Sequence, residues 1–420
     1  MKLRFYTILT LTVGLAACCF AACGELENKL PPPPSEEDLK LSTPSNVELF
    51  VDAVRWDSVE HASEYEVQVG QTSKTVSVEY FDLSSWILTG AYEIRVMAKA
   101  EGYEDSEWSE PVRLIIGTKG LEFTLTKDGS GYEVSRGTAN VNNTHVYIPS
   151  FYNGLPVVAV AEEAFYQCTR LRGVTLPESV SSFGKYAFNT CSQMEEVNIP
   201  EAVTELEAAV FIKCTSLKSI VLPKNLKVIG NSVFRYCTVL SEISFPDALE
   251  KIGVCAFDDT AWYDAQPDGP IYIGTILYKY RTSETGEFFV DNIHEDTTYI
   301  VGAAFYNLHN LVGVNLPESV KGIGQSAFEE CEKLRSVVLP SNLEELGEAA
   351  FKQCYALERI VIPNTVKSPI IWFGMCRALK EIVYTGTMEE WKKIEYYYWD
   401  THLPNDYVVK CTDGEIRKSV

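Results

Sequence analysis

Phenylalanine stands at Phe165, Phe188, Phe211, Phe234 and Phe257, each 23 residues after the last, and again at Phe305, Phe328 and Phe351. Cysteine follows three positions later at Cys168, Cys191, Cys214, Cys237, Cys331 and Cys354, and proline closes successive units at Pro177, Pro200, Pro223, Pro246, Pro317, Pro340 and Pro363. A fixed period in the range of roughly 20 to 29 residues confines a chain to a solenoid, whose coils bury one another's apolar faces. Within each unit a piece such as LKSIVLP alternates like a short strand. The following V-x-x-I-G-x-x-A-F-x-x-C-x-x-L, with its spacing of three, predicts a short helical or 3₁₀ segment. Stacking then makes the Phe and Cys positions ladders in a shared core.

In such a ladder cysteine serves as a small buried apolar side chain. Leu308 occupies the equivalent slot in one coil, which a redox or metal role would not tolerate. Neighbouring cysteines of a column would lie about one coil apart, roughly 4.8 Å, so disulfides remain geometrically open while free thiols are expected. No histidine or second cysteine accompanies each one, so neither zinc nor any other metal or cofactor is expected.

The chain opens with Lys2 and Arg4 before the apolar run FYTILTLTVGLAA, of secretory length and short for a membrane span. Leu15-Ala16-Ala17-Cys18 resembles a bacterial lipobox, which implies a Sec-type signal peptide over residues 1–17 and a lipid on Cys18, with Cys23 as the alternative. Residues 18–42, with four consecutive prolines and an acidic flank, read as an extended stalk. The membrane is thus engaged through the N-terminal anchor only, with the body of the chain at the bacterial cell surface. A formal charge of −22 repels phosphate backbones and argues against nucleic acid.

Residues 43–117 contain short alternating runs: Val47 to Phe50, Val54 to Trp56, Tyr65 to Val69, Thr75 to Val78, Tyr92 to Ala98 and Val112 to Ile116. With Pro44, Trp56, Tyr65 and the LTGAY stretch ending at Tyr92, this segment resembles a fibronectin type III β-sandwich, and Tyr92 matches its tyrosine corner. No Arg-Gly-Asp loop is present, so the module is read as a spacer. Trp108 is read as edge-strand packing rather than a contact.

The repeat, written nearly intact from Leu316 to Leu334, resembles the leucine-rich repeats of the BspA type found on bacterial surfaces. The expected fold class is therefore multidomain and mainly β: a sandwich followed by a leucine-rich solenoid. Its layout is an N-terminal solenoid cap at 118–156, repeats at 157–383 and a C-terminal cap at 384–420. An insertion at about 258–296 resembles the hairpin interruption of that family and is read as stretching one period from 23 to 48 residues, while Phe351 to Phe373 shortens another to 22.

Five scattered histidines, His61, His145, His294, His309 and His402, form no metal or catalytic pattern, and no nucleophile elbow, P-loop or dinucleotide fingerprint occurs. The acidic pairs Glu195-Glu196, Glu329-Glu330 and Glu344-Glu345 recur with the coil and read as solvated faces. The chain is therefore expected not to be an enzyme; the rival reading, an unrecognised hydrolase, would require a pocket with two facing carboxylates. What remains is the outward side of the strands, with ligand-binding candidates Thr175, Glu196, Asn198, Ser219, Glu242, Ser244, Asn315, Ser336 and Arg359. Small mixed side chains there favour an extended protein or glycan partner; the BspA resemblance implies adhesion, and a monomer is expected. The insertion's Trp262 and Tyr263 offer an alternative, a carbohydrate platform, if exposed and coplanar. The cluster Trp391, Tyr396, Tyr397, Tyr398 and Trp399 is read as cap packing.

Overall fold

The computed structural model describes residues 40–50, 53–83, 89–139, 145–366, 373–394, 403–404 and 406–417. The leader, Cys18, Cys23, the proline stalk, His402 and the aromatics at 396–399 lie outside the described residues.

The N-terminal module holds two antiparallel sheets. One joins Glu48–Phe50, Ala53–Arg55 and Tyr80–Asp82; the other runs Thr72–Val76, Glu64–Val69, Gly90–Lys99, Val112–Ile116 in spatial order. Period-two alternation sends Tyr65, Val67 and Val69 inward opposite Ala98, Val96 and Ile94, and these join Val54, Trp56, Phe81 and Leu114 in one apolar cluster. The Tyr65 hydroxyl accepts the Val59 N–H at 2.9 Å, while Tyr92 lies half-buried with its ring against Gly70 and Gly90.

From about residue 132 the chain forms a mainly-β solenoid of about 11 turns. Each regular coil carries two short strands. One column of parallel strands begins His145–Tyr147, Gly173–Thr175, Glu196–Val197, Ser219–Val221 and Glu242–Ser244, and resumes with Phe288–Val290, Leu311–Val314, Ser336–Val338, Arg359–Ile362, Glu381–Tyr384 and Val408–Cys411. The second column includes Ser182–Phe183, Glu205–Leu206, Val228–Ile229 and Lys251–Ile252, then Ile276–Arg281, Tyr299–Ile300, Gly322–Ile323 and Glu345–Leu346.

The helical segment expected after each second strand is instead a run of turns. In all eight coils named by their phenylalanine, the residues two before and two after it are left-handed, as at Glu163 (φ 55°) and Gln167 (φ 57°). A left-handed non-glycine residue costs about 1 kcal/mol or more, and no helix survives two of them. The alternation turns successive peptides so that the N–H groups of Glu163, Phe165 and Gln167 reach the carbonyls of Lys185, Ala187 and Asn189 on the next coil at 2.9, 2.7 and 2.8 Å. Inter-coil hydrogen bonds replace intrahelical ones and offset the backbone strain.

Inside, the rings stack nearly parallel: Phe165 on Phe188 at 5.3 Å, Phe188 on Phe211 and Phe211 on Phe234 at 5.5 Å, Phe328 on Phe351 at 5.2 Å. The ladder cysteines are buried and free. Their role is more specific than small apolar filling, because after Cys168, the first of them, each Sγ faces the phenylalanine carbonyl of the preceding coil, as Cys191 to Phe165 at 3.2 Å, Cys237 to Phe211 at 3.1 Å and Cys354 to Phe328 at 3.1 Å. Cys376 makes the same contact to Phe351 in the shortened coil, where the rings Phe351 and Phe373 draw apart to 6.2 Å.

The 48-residue period is corrected to two coils. Tyr280, 23 residues after Phe257 and 25 before Phe305, occupies the ladder rung: its N–H bonds the Ala304 carbonyl as a rung phenylalanine would, and its ring stacks on Phe305 at 5.6 Å. Short of two turn residues, this coil brings no backbone carbonyl to Phe257. The Tyr278 hydroxyl takes its place, accepting the Phe257 N–H at 2.9 Å and donating to Asp258 at 2.5 Å. The extra length forms the hairpin Gly269–Ile273 and Ile276–Arg281, whose second strand rejoins the second column. The core divides here, Tyr278 belonging to the upstream cluster and Leu277 to the downstream one.

Antiparallel strands close both ends: Glu122–Leu125 against Tyr132–Ser135, and Val408–Cys411 against Gly414–Arg417. Near the C-terminal end the helix Met388–Lys393 starts at a Thr387/Glu390 capping box and buries Trp391 on Tyr384. The N-terminal module meets the solenoid through paired bonds between Ile115 and Ser150 and between Thr118 and Tyr147, with Gly117 pressed on Pro149.

Candidate recognition surface

The outward side of the first strand column carries what varies from coil to coil. At the last outward position, ten residues past each phenylalanine, stand Thr175, Asn198, Val221, Ser244, Asn315, Val338 and Val361. Ser219, Glu242, Ser244, Asn315 and Ser336 are exposed there, and Val221 and Val338 present their side chains to solvent at 72% and 57%. Arg359 is exposed but tied to Glu381 at 2.7 Å.

Thr175, Glu196, Asn198 and Ser219 come together in a shallow concavity of about 510 Å³, which Arg113 of the N-terminal module, His145, Glu195, Glu201 and Val221 also line. A second concavity downstream of the hairpin repeats it with Phe289, Asn315, Ser336 and Val338. Each begins with an aromatic ring laid over a glycine of the next strand. A Cβ on Gly173 would stand 2.5 Å from His145 Nδ1, and one on Gly313 2.5 Å from the Phe289 ring.

Two expectations are corrected here. Thr175 is buried at 8% exposure, because the His145 ring folds down onto it, Nε2 lying 2.7 Å from Thr175 Oγ1. Asn198 is half-buried and spends its amide on the Leu176 backbone, Oδ1 accepting the N–H at 2.9 Å and Nδ2 donating to the carbonyl at 3.0 Å. Both support the surface more than they offer it. Arg113, His145 and Glu201 escaped the sequence reading. Gly173 pairs with His145 across 28 residues rather than 23, and Arg113 belongs to another module.

Thr175, His145 and Glu196, the last at 3.5 Å from Nδ1, have the order of a nucleophile–base–acid relay. The covered hydroxyl sits on a strand paired on both sides, and Asn198 takes the next N–H. The chain of contacts therefore orients the ring instead of exposing a nucleophile. Burial pushes the His145 pKa down despite the opposing charge of Glu196, which favours neutral imidazole.

The aromatic platform is not formed either. Trp262 and Tyr263 are half-buried, Trp262 edge-on to Phe245, Phe257 and Tyr278 at 5.4, 5.5 and 6.2 Å, and Tyr263 at 82° to Tyr278 with Arg281 against its ring. They fill the core where a regular strand is missing. Beside them, burial would raise the Asp258 carboxyl, but the Lys279 ammonium at 3.2 Å and hydroxyl donation from Tyr278 outweigh it and hold the pKa below its ordinary value.

The sequence profile described as the BspA type leucine rich repeat region matches residues 141–263 and 288–401, in six copies and over more than half of the chain. This chain belongs to the BspA-type leucine-rich repeat family. The family's matched segments flank the hairpin described above. Among solved structures, this BspA-type chain is similar to a leucine-rich repeat protein of T. pallidum, at 28% identity over 57% of this chain and 88% of that one, with a TM-score of 0.33. A leucine-rich cell surface protein of Faecalibacterium prausnitzii matches at 22% identity over 66% and 96% of the two chains, TM-score 0.33, and the pneumococcal vaccine antigen PcpA at 17% over 71% and 93%, TM-score 0.33. No curated protein matches the chain. Among the described residues no helix is long and apolar enough to cross a membrane, and no group of three or more His, Cys, Asp or Glu could hold a metal ion.

Proposed function

We propose that this BspA-type chain is an exported, lipid-anchored recognition protein of a bacterial surface, which binds an extracellular protein or glycan and acts by adhesion rather than catalysis. The observation that carries the reading is the contrast within one coil. Phenylalanine and cysteine repeat inside, while the outward strand positions change from coil to coil and open into two concavities. Variation there leaves the stacked core untouched, which is how solenoids present binding surfaces.

The layout of this reading is a signal peptide at 1–17, lipid on Cys18 with Cys23 as alternative, a stalk at 18–42 and a fibronectin type III-like spacer at 43–117. A solenoid cap follows at 118–156, then repeats at 157–383 with an insertion at about 258–296 that contains the hairpin, and a C-terminal cap at 384–420. Two antiparallel sheets on one core support the spacer assignment, and LAAC after a basic, apolar start supports the anchor. The chain acts as a monomer in this reading, with Glu196, Ser219, Glu242, Ser244, Asn315, Ser336 and Arg359 among its contacts.

Two measurements test it. Mass spectrometry of the mature N-terminus should find a diacylglyceryl cysteine; an unmodified cleaved terminus removes the anchor. The ectodomain should capture a partner from host or bacterial surface extracts, and a Val221→Asp/Ser219→Asp variant should lose it. Capture unaffected by that variant removes the proposed face.

A further inference from the structure

The concavity at the joint of module and solenoid has more charge specificity than its shallow shape suggests. Its lining carries Glu195, Glu196 and Glu201 against a single cation, Arg113. Neighbours already engage part of this set: Arg113 reaches Glu178 at 3.9 Å, and Arg172 reaches Glu195 at 3.6 Å. Among the described residues, Glu196 pairs with His145, which burial holds toward its neutral form, and its side chain is 73% exposed. Glu201 accepts the Lys224 backbone N–H at 2.9 Å, a contact that brings it no countercharge. Beside these carboxylates Val221 is the most exposed large apolar side chain among the described residues. An anionic ligand would meet three carboxylates and a single lining cation, Arg113, that already has Glu178 within 3.9 Å. A lysine or arginine fits both features, since its alkyl stem covers apolar surface while its head stays with the acids.

Resting on the recognition reading above, we propose that this concavity receives an extended, lysine- or arginine-bearing segment of a protein partner, the cationic head on Glu196 and Glu201 and the alkyl stem on Val221. The occupant is committed by charge complementarity and by the pairing of acid with exposed apolar surface. Such contacts are weak singly and gain strength from repetition along the face.

The test is fluorescence anisotropy of the ectodomain with three labelled decapeptides: alternating lysine and valine, the same peptide with glutamate for lysine, and the same with 2,4-diaminobutyrate, which keeps the positive charge and shortens the stem by two methylenes. The lysine peptide should bind best. Glu196→Gln/Glu201→Gln should weaken it by more than twofold and up to about thirtyfold, taking exposed charge pairs at up to about 1 kcal/mol each. Val221→Ser should weaken the lysine peptide and leave the short-stemmed one unchanged. Glu101→Gln/Glu110→Gln, the same charge change on the exposed N-terminal module, should leave all three peptides unchanged. Equal binding of the glutamate peptide, or a Glu196→Gln/Glu201→Gln variant within twofold of the parent, overturns the inference. If surface extracts still yield a partner lost on Val221→Asp/Ser219→Asp while the lysine peptide is ignored, the cation assignment falls and the recognition reading stands.

Discussion

Replacing Tyr278 by phenylalanine isolates a place where a side chain substitutes for a coil's backbone on the phenylalanine ladder. The ring stays, edge-on to Phe257 at 5.7 Å, so little apolar packing is lost. The hydroxyl takes with it the acceptor of the Phe257 N–H and a donor to Asp258. A buried N–H left without a partner costs about 1–3 kcal/mol, and a hydrogen bond to a charged carboxylate contributes about 1.5–3 kcal/mol. Allowing for relaxation, Tyr278→Phe should destabilise the ectodomain by about 3 kcal/mol at pH 7 in urea unfolding followed by far-UV circular dichroism. The loss should depend on pH in one direction. The Asp258 pKa is lowered by folding, so its contribution is fully present above the unfolded value of about 4 and fades as pH falls through the folded value. The variant has already given up part of that contribution, and its difference from the parent should shrink between pH 7 and pH 3. Asp258→Asn should remove most of the pH dependence, and combining the two should cost less than their sum. A Tyr278→Phe variant within about 0.5 kcal/mol of the parent at both pH values would refute the reading of Tyr278 as a surrogate carbonyl.

Three further outcomes follow from the same packing. Iodoacetamide on the native ectodomain should label Cys255 and Cys411, which are half-buried, well before the fully buried ladder thiols such as Cys214 or Cys331, whose pKa burial pushes up, to about 12 for Cys331; peptide mapping after mild and denaturing labelling shows the order. Gly117→Ala would place a Cβ within 3.0 Å of three Pro149 ring atoms, so it should loosen the joint and expose residues 115–120 to limited proteolysis while the solenoid transition stays within about 1 kcal/mol of the parent. Phe211→Ala, in the middle of the upstream stack, should cost about 3–5 kcal/mol in urea unfolding, against less than about 0.5 kcal/mol for Ser244→Ala on the outward face.

The period alone made the solenoid legible, because a ladder repeats its side chains as rigidly as its geometry. The turn conformation was hidden. Nothing in EEAFYQC marks Glu163 and Gln167 as left-handed, since neither is glycine and the conformation is imposed by bonds to the next coil. The hairpin coil was hidden for a different reason: Tyr280 keeps the 23-residue step from Phe257 but is a tyrosine with no cysteine after it, so a search for F-x-x-C passes over it. On the surface, alternation placed Glu196, Ser219 and Ser244 outward correctly. The same alternation placed Thr175 outward too, where His145 from outside the regular period covers it. Side chains that arrive from a cap or another module cannot be read from the repeat.

The central claim is that the stacked interior is constant so that one strand face is free to recognise. Its most direct test compares two variants of equal charge change on different sides of the solenoid, Ser219→Asp/Val221→Asp on the strand face and Tyr166→Asp/Tyr186→Asp on the exposed turn side, for capture of the partner drawn from surface extracts. The account predicts that the first abolishes capture, the second retains it, and both unfold within about 1 kcal/mol of the parent; capture lost only by the turn-side variant would contradict it.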